Sequence, residues 1–202
     1  QFFCSPTFAY CTFEGNMTNC SGGALPNDQA VPVIIGCTFK GNSAAVGGAM
    51  FDFSSSSTII GSTFSCNTAT IDGGAIFLDP LSVTTILDCT FQQNRTTGSG
   101  GGIFFNSTGQ VMQDSQLCSN VPDQVTGPFF NVGGNSITPI CVACPDLNND
   151  GIVNGGDLAV MLTSWGTCAT AVCPGDLNGD SVVDGLDLSI LLASWGPCLS
   201  CP

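Results

Sequence analysis

The sequence predicts a mainly β chain: a parallel β-helix of about five coils over residues 1–143, followed by a small helical domain over residues 144–202. Two observations carry this reading. A phrase returns every 25 to 27 residues between Cys4 and about Asn135, and an unrelated motif occurs twice, thirty residues apart, in the tail. A unit that short cannot bury its own apolar face, so it must stack on copies of itself as the coils of a solenoid. A β-sandwich of short strands would show alternation and hairpin turns, but no fixed register of this length.

Five phrases align: Cys11, Phe13 and Asn16; Cys37, Phe39 and Asn42; Ser62, Phe64 and Asn67; Cys89, Phe91 and Asn94; and Ser115, Leu117 and Asn120. Each of the first four is followed by a glycine pair, a small residue and an apolar one, at residues 22–25, 47–50, 73–76 and 100–103, and the fifth decays at 126–129. Equivalent residues of successive coils of a β-helix sit about 4.8 Å apart. Phe13, Phe39, Phe64, Phe91 and Leu117 should therefore form one internal stack, and Ile34, Ile59, Ile86 and Met112 another. The asparagines should make a hydrogen-bonded ladder at a corner, and the glycine pairs supply the backbone conformations that tight corners require. Cys11, Cys37, Ser62, Cys89 and Ser115 share one column. Cys11 and Cys37 are close enough for a disulfide that parallel side chains would strain, and Cys89, between two serines, reads as a buried thiol.

These two phrases resemble the repeat of the polymorphic outer membrane proteins over residues 11–129. The resemblance implies a right-handed coil and a surface setting linked to adhesion.

The tail motif places Asp146, Asn148, Asp150, Ile152, Asn154 and Asp157 at positions 1, 3, 5, 7, 9 and 12 of a loop, and repeats it with Asp176, Asn178, Asp180, Val182, Asp184 and Asp187. Side-chain oxygens at this spacing, with a backbone carbonyl at position 7, are what a hard cation of calcium size needs for six to eight ligands. Unliganded turns would explain Asp and Asn locally, but not their repetition in register. Two Ca²⁺ ions are therefore expected. The sharp-turn glycine at position 6 is Gly151 in the first loop and Ser181 in the second, which should strain that loop. An apolar run follows each loop, giving expected helices over residues 158–164 and 188–194.

The duplicated loop and helix resemble a dockerin module. That resemblance implies non-catalytic docking to a cohesin-like scaffold protein. The positions at which cellulosomal dockerins often carry a Ser-Thr pair hold Gly155–Gly156 and Gly185–Leu186 here.

Charge and cysteine content bound the setting. The net charge is −13, with Lys40 and Arg95 the sole basic side chains and no histidine. That balance excludes nucleic-acid binding through a basic patch and attraction to anionic lipid, and no apolar run is long enough for membrane insertion. Thirteen cysteines point away from a reducing cytosol, so a secreted, extracellular or cell-surface protein is expected, with Gln1 as a mature N-terminus. Cys141 with Cys144, and Cys198 with Cys201, have zinc-ligand spacing, but disulfides are favoured in this context. Cys144 should lie near the C-terminal cysteines and Cys168 near Cys173. The stretch from Gly133 to Cys144 reads as a tied connection. Asn16, Asn19, Asn94 and Asn106 head sequons that permit a glycan coat, though an inward ladder would block Asn16 and Asn94.

Three functions compete: a polysaccharide-active enzyme, a binding module, and a structural subunit. The eight acids of the solenoid are scattered, none paired in a column, and a nucleophilic triad lacks its histidine. A non-catalytic assembly protein is the expectation, its partners being other copies of itself in a head-to-tail filament or a cohesin-like scaffold. An adhesin is the alternative, and would want exposed aromatics. The fourteen phenylalanines are mostly accounted for by the internal stack and the strands after the glycine pairs.

Overall fold

A computed structural model describes residues 5–139, 144–148, 150, 152–168 and 173–198. They fall into two compact units, divided between residues 141 and 142. Cys4, Cys141, Cys201, Gly151 and the first four residues of the apolar N-terminal stretch lie outside the described residues.

The first unit is a right-handed β-solenoid of about five turns. Its coils contribute in rotation to three main parallel sheets. One sheet contains Thr7–Ala9, Val33–Ile35, Thr58–Ile60, Thr85–Leu87, Val111–Gln113 and Phe130–Gly133. The second contains Thr12–Glu14, Thr38–Lys40, Thr63–Ser65, Thr90–Gln92, Gln116–Cys118 and Ser136–Thr138. The third contains Leu25–Asp28, Met50–Phe53, Ile76–Leu78, Ile103–Phe105 and Val125–Thr126.

Register follows the repeat. Phe13 pairs with Phe39, Phe39 with Phe64, Phe64 with Phe91, and Phe91 with Leu117. The four rings stack with centroids 4.5–4.7 Å apart and planes within 7°. Ile34, Ile59, Ile86 and Met112 form the second stack, each fully buried. Burial of one such side chain stabilises by roughly 1.5–3 kcal/mol, so the stacks are what hold the coils in line.

The glycine pairs work by two different mechanisms. Gly73 has φ +66°, a left-handed conformation that side chains adopt at a cost. Gly74 is required by closeness: a Cβ there would lie 2.1 Å from the Gly101 carbonyl oxygen of the next coil.

The asparagines form the expected ladder. Asn42 Nδ2 donates to Asn67 Oδ1, Asn67 Nδ2 to Asn94 Oδ1, and Asn94 Nδ2 to Asn120 Oδ1, each at 2.9 Å. The same Oδ1 atoms accept the backbone N–H of the preceding asparagine at 3.0 Å. Gln124 ends the series, its Oε1 accepting from Asn120 N at 3.1 Å and Nδ2 at 2.7 Å. The column of Cys37, Ser62, Cys89 and Ser115 is also a bracket: Ser62 Oγ accepts from Cys37 N, and Ser115 Oγ from Cys89 N. Cys37 Sγ accepts from Cys11 N at 3.4 Å, and both thiols are free, so the column bonds through hydrogen atoms and not through a disulfide.

One expectation is corrected here. The segment from Gly133 onward is not simply a connection, because Ser136–Thr138 extends the second sheet and Ile137 pairs with Leu117. Asn135 Oδ1 accepts from Ser115 N at 2.9 Å, standing in for the next Cys or Ser of the column.

The second unit holds two helices, α1 (Gly155–Thr163) and α2 (Gly185–Ala193). Both begin three residues earlier than expected. Asn154 and Asp184 are N-caps in capping boxes with Asp157 and Asp187, which satisfy the free N–H groups of the first turn. Strand pairing is reciprocal: Ile152–Val153 of the first loop pairs with Gly196–Pro197 after α2, and Val182–Val183 of the second with Gly166–Thr167 after α1. Val153, Met161, Val183 and Leu191 form the core, with Leu147, Leu158, Leu177 and Leu188 packed around it. Disulfides join Cys144 to Cys198 and Cys168 to Cys173, so Cys144 and Cys198 are each other's partners.

Candidate functional site

The two tail loops lie directly before α1 and α2, and the helix caps are also members of the loop motif. Asp157 shows how tightly the functions are joined. Its Oδ1 accepts from Leu147 N at 2.7 Å and Asn148 N at 3.1 Å, and its Oδ2 from Asn154 N at 2.8 Å. Asp187 repeats this with Leu177, Asn178 and Asp184 at 2.8, 3.1 and 2.9 Å. Burial pushes both carboxyls up, but the backbone N–H groups outweigh it and hold them below the usual carboxylate range.

In the first loop, oxygens of Asp146, Asp150 and Asp157 lie within 4.8 Å of one another. Two ligands of one calcium-sized ion, each about 2.4 Å from it, are separated by at most about 4.8 Å, so the spacing suits such an ion. The Ile152 carbonyl accepts from Asn154 Nδ2 at 3.2 Å, which brings positions 7 and 9 to the same side. The donor set is all oxygen, the chemistry of a hard cation.

The second loop repeats the motif with Val182 in place of Ile152 and Asp184 in place of Asn154. Asp176 Oδ1 accepts from Gly179 N and Asp180 N, and its Oδ2 from Ser181 N at 2.9 Å, so both oxygens are turned to the backbone. Among the described residues its acids do not form a second group as close as the first. Ser181 adopts φ +71°, the left-handed conformation that glycine would take without strain.

The sequon asparagines separate by position. Asn19 and Asn106 are exposed, while Asn94 is fully buried and donates to Asn120 and to the Phe64 carbonyl. Asn16 departs from the expected inward ladder: it is exposed, although its Nδ2 still donates to Asn42.

Phe51, Phe77 and Phe104, in the strands after the glycine pairs, stand apart from the internal stack. Each follows an inward apolar residue by one position, so the pleat turns it outward, where it is half-buried. Their centroids are 5.6 and 5.0 Å apart. The rings cover one another's faces, leaving mainly edges outward, which is poor geometry for stacking on a sugar. The solenoid acids are less scattered than expected. Asp52 and Asp79 lie in different columns but act on each other electrostatically, both buried inside one corner. The signal was missed because the 27-residue coil brings a turn residue beside a strand residue.

The family model of the right handed beta helix region matches residues 3–140. No curated protein and no solved structure matches the chain.

Proposed function

The chain belongs to the right-handed beta helix family, and from that premise we propose that it is a non-catalytic extracellular assembly protein. In this reading the solenoid is the body of a subunit, and the second unit is a dockerin-like module stabilised by two Ca²⁺ ions. The module joins copies head to tail into a filament. The family includes enzymes as well as non-catalytic proteins, so the proposal rests on this chain's own residues.

The observation that carries it is the reciprocal duplication of the second unit. Both loops carry oxygen donors at the same positions, cap their own helix with a member of the set, and pair with the strand that follows the other helix. Clustered carboxylates repel, and a bound cation would relieve that repulsion in both halves together. Docking is supported by the apolar residues this small unit leaves exposed at equivalent places: Leu162 and Leu192, and Trp165 and Trp195. Trp and other large apolar side chains exposed together are characteristic of protein interfaces.

Calorimetric titration of the chelator-treated protein should give two calcium ions per chain, and electron microscopy of the loaded protein should show filaments that disperse on chelation. Fewer than two ions would refute the metal assignment. Isolated monomers at high concentration in calcium would instead favour docking to a separate cohesin-like scaffold.

A further inference from the structure

Asp52 is a carboxyl group with no exposure, in the strand Met50–Phe53, pointing into the solenoid. Its Oδ1 accepts from Asn27 Nδ2 of the preceding coil at 2.7 Å, and its Oδ2 is 2.9 Å from Thr84 Oγ1 of the following coil. The hydroxyl of Ser57, only 2% exposed, is near enough to act on the carboxyl electrostatically yet completes no hydrogen bond. No counter-ion is at hand. Lys40 and Arg95 are the chain's only basic side chains, and neither stands on the strands that flank Met50–Phe53.

The titratable groups on the packed elements are both acids. Asp28 ends the strand Leu25–Asp28 and is exposed, on the outward side of the pleat. Asp79 follows Ile76–Leu78, is 5% exposed, and has three donors on Oδ1, from Ser54 N, Leu81 N and Ser82 Oγ. The loop that carries Ser57 brings none, and the loop that carries Thr84 brings only Asp79. A carboxylate so placed would be a buried charge facing a second acid, held only by neutral donors.

We propose that folded Asp52 is a neutral carboxylic acid whose proton sits on Oδ2 and is donated to Thr84 Oγ1, locking three successive coils together at one corner. Oδ1 remains the acceptor for Asn27, so each coil contributes one partner: Asn27, Asp52 and Thr84. Raising the pH removes that proton and leaves a buried charge held only by the neutral donors Asn27, Ser57 and Thr84, which weakens the corner. The corner is thus a latch that loosens as pH rises.

Burial is the largest influence on this group and pushes it up; Asn27, Ser57 and Thr84 pull it down, and Asp79 pushes it up again, with a net rise from the ordinary 3.8. A carboxyl raised in the folded state contributes stability that is fully present below its unfolded value and is lost as pH rises through its folded value. The window therefore begins near 3.8 and extends upward from there.

The test is urea unfolding of the full, calcium-saturated chain and of Asp52→Asn, followed through the solenoid transition from about pH 4 to about pH 9. Asparagine keeps an acceptor for Asn27 and a donor for Thr84, so the variant should fold. The wild-type folding constant should fall by up to about tenfold per pH unit relative to the variant until the folded carboxyl ionises, and then run parallel to it. Infrared difference spectra of the wild type against the variant, near neutral pH, should show the carbonyl stretch of a protonated acid. Parallel pH profiles throughout, or absence of that band, would overturn the proposal. So would stabilisation of the solenoid by a divalent cation that Asp52→Asn abolishes, because the carboxyl would then hold a metal in place of a proton.

Discussion

Gly74 occupies a place where a single methyl group decides whether two coils can close. Its missing Cβ would lie 2.1 Å from a backbone oxygen of the next coil, and backbone cannot rotate away as a side chain can. Gly61 provides the contrast, since a Cβ there meets nothing within 4 Å and only its φ of +57° resists substitution. Gly74→Ala should cost about 1–3 kcal/mol through overpacking, and Gly61→Ala about 1 kcal/mol through backbone strain. Urea titration of the solenoid transition measures both, and equal losses would show that conformation, not closeness, governs the pair. Cys89 is a third residue whose surroundings decide its chemistry. Burial pushes its thiol up to about 11, despite backbone hydrogen bonds at Ser62, Leu87 and Gly61 that pull it down, so it stays protonated and unreactive in the folded protein.

Among the elements, the asparagine ladder is the clearest case of a motif whose function is its own repetition. Removing one rung strands several partners at once. Asn67 accepts from Asn42 N and Nδ2 and donates to Asn94 Oδ1 and the Phe39 carbonyl, all inside the solenoid. Asn67→Ala should therefore destabilise by about 2–3 kcal/mol, since buried groups left unpaired carry their full desolvation cost. Gln124→Ala should cost roughly half as much, because Gln124 is only partly buried and water can take its place. Thermal melts of the two variants rank them, and a larger loss at Gln124 would make the cap, not the rungs, the stabilising part.

The ladder also shows what the sequence could and could not disclose. Phe13, Phe39, Phe64 and Phe91 announce the register because each coil repeats them at nearly constant spacing. Gln124 has no counterpart in earlier coils; it reaches back four residues to Asn120, a local bond that no period reveals. The starts of α1 and α2 were legible in principle, since Asn154 and Asp184 stand three residues before an acid, the capping pattern. Their part in the loop motif masked that second role. Asp52 was illegible for a different reason: its environment depends on the unequal lengths of adjacent coils, which place Asp79 and Thr84 beside it.

At the scale of the whole molecule, the solenoid and the second unit each have their own core, and each coil of the solenoid touches chiefly the coil before and the coil after. Mechanical load acts on such an arrangement in a particular way. Pulling on the ends of the first unit does not shear whole sheets at once; it peels the outermost coil, breaking the few bonds that tie it to its neighbour before the next is strained. A coil of 25 to 27 residues then yields roughly 85–92 Å of extended chain, at about 3.4 Å per residue. Force spectroscopy should record a sawtooth with that spacing, run under reducing conditions because Cys66 and Cys118 each take part in a disulfide. A single all-or-none rip of the solenoid would contradict it. For a subunit under tension, such stepwise yielding would dissipate a pull one coil at a time while the remaining coils stay folded and ready to rewind.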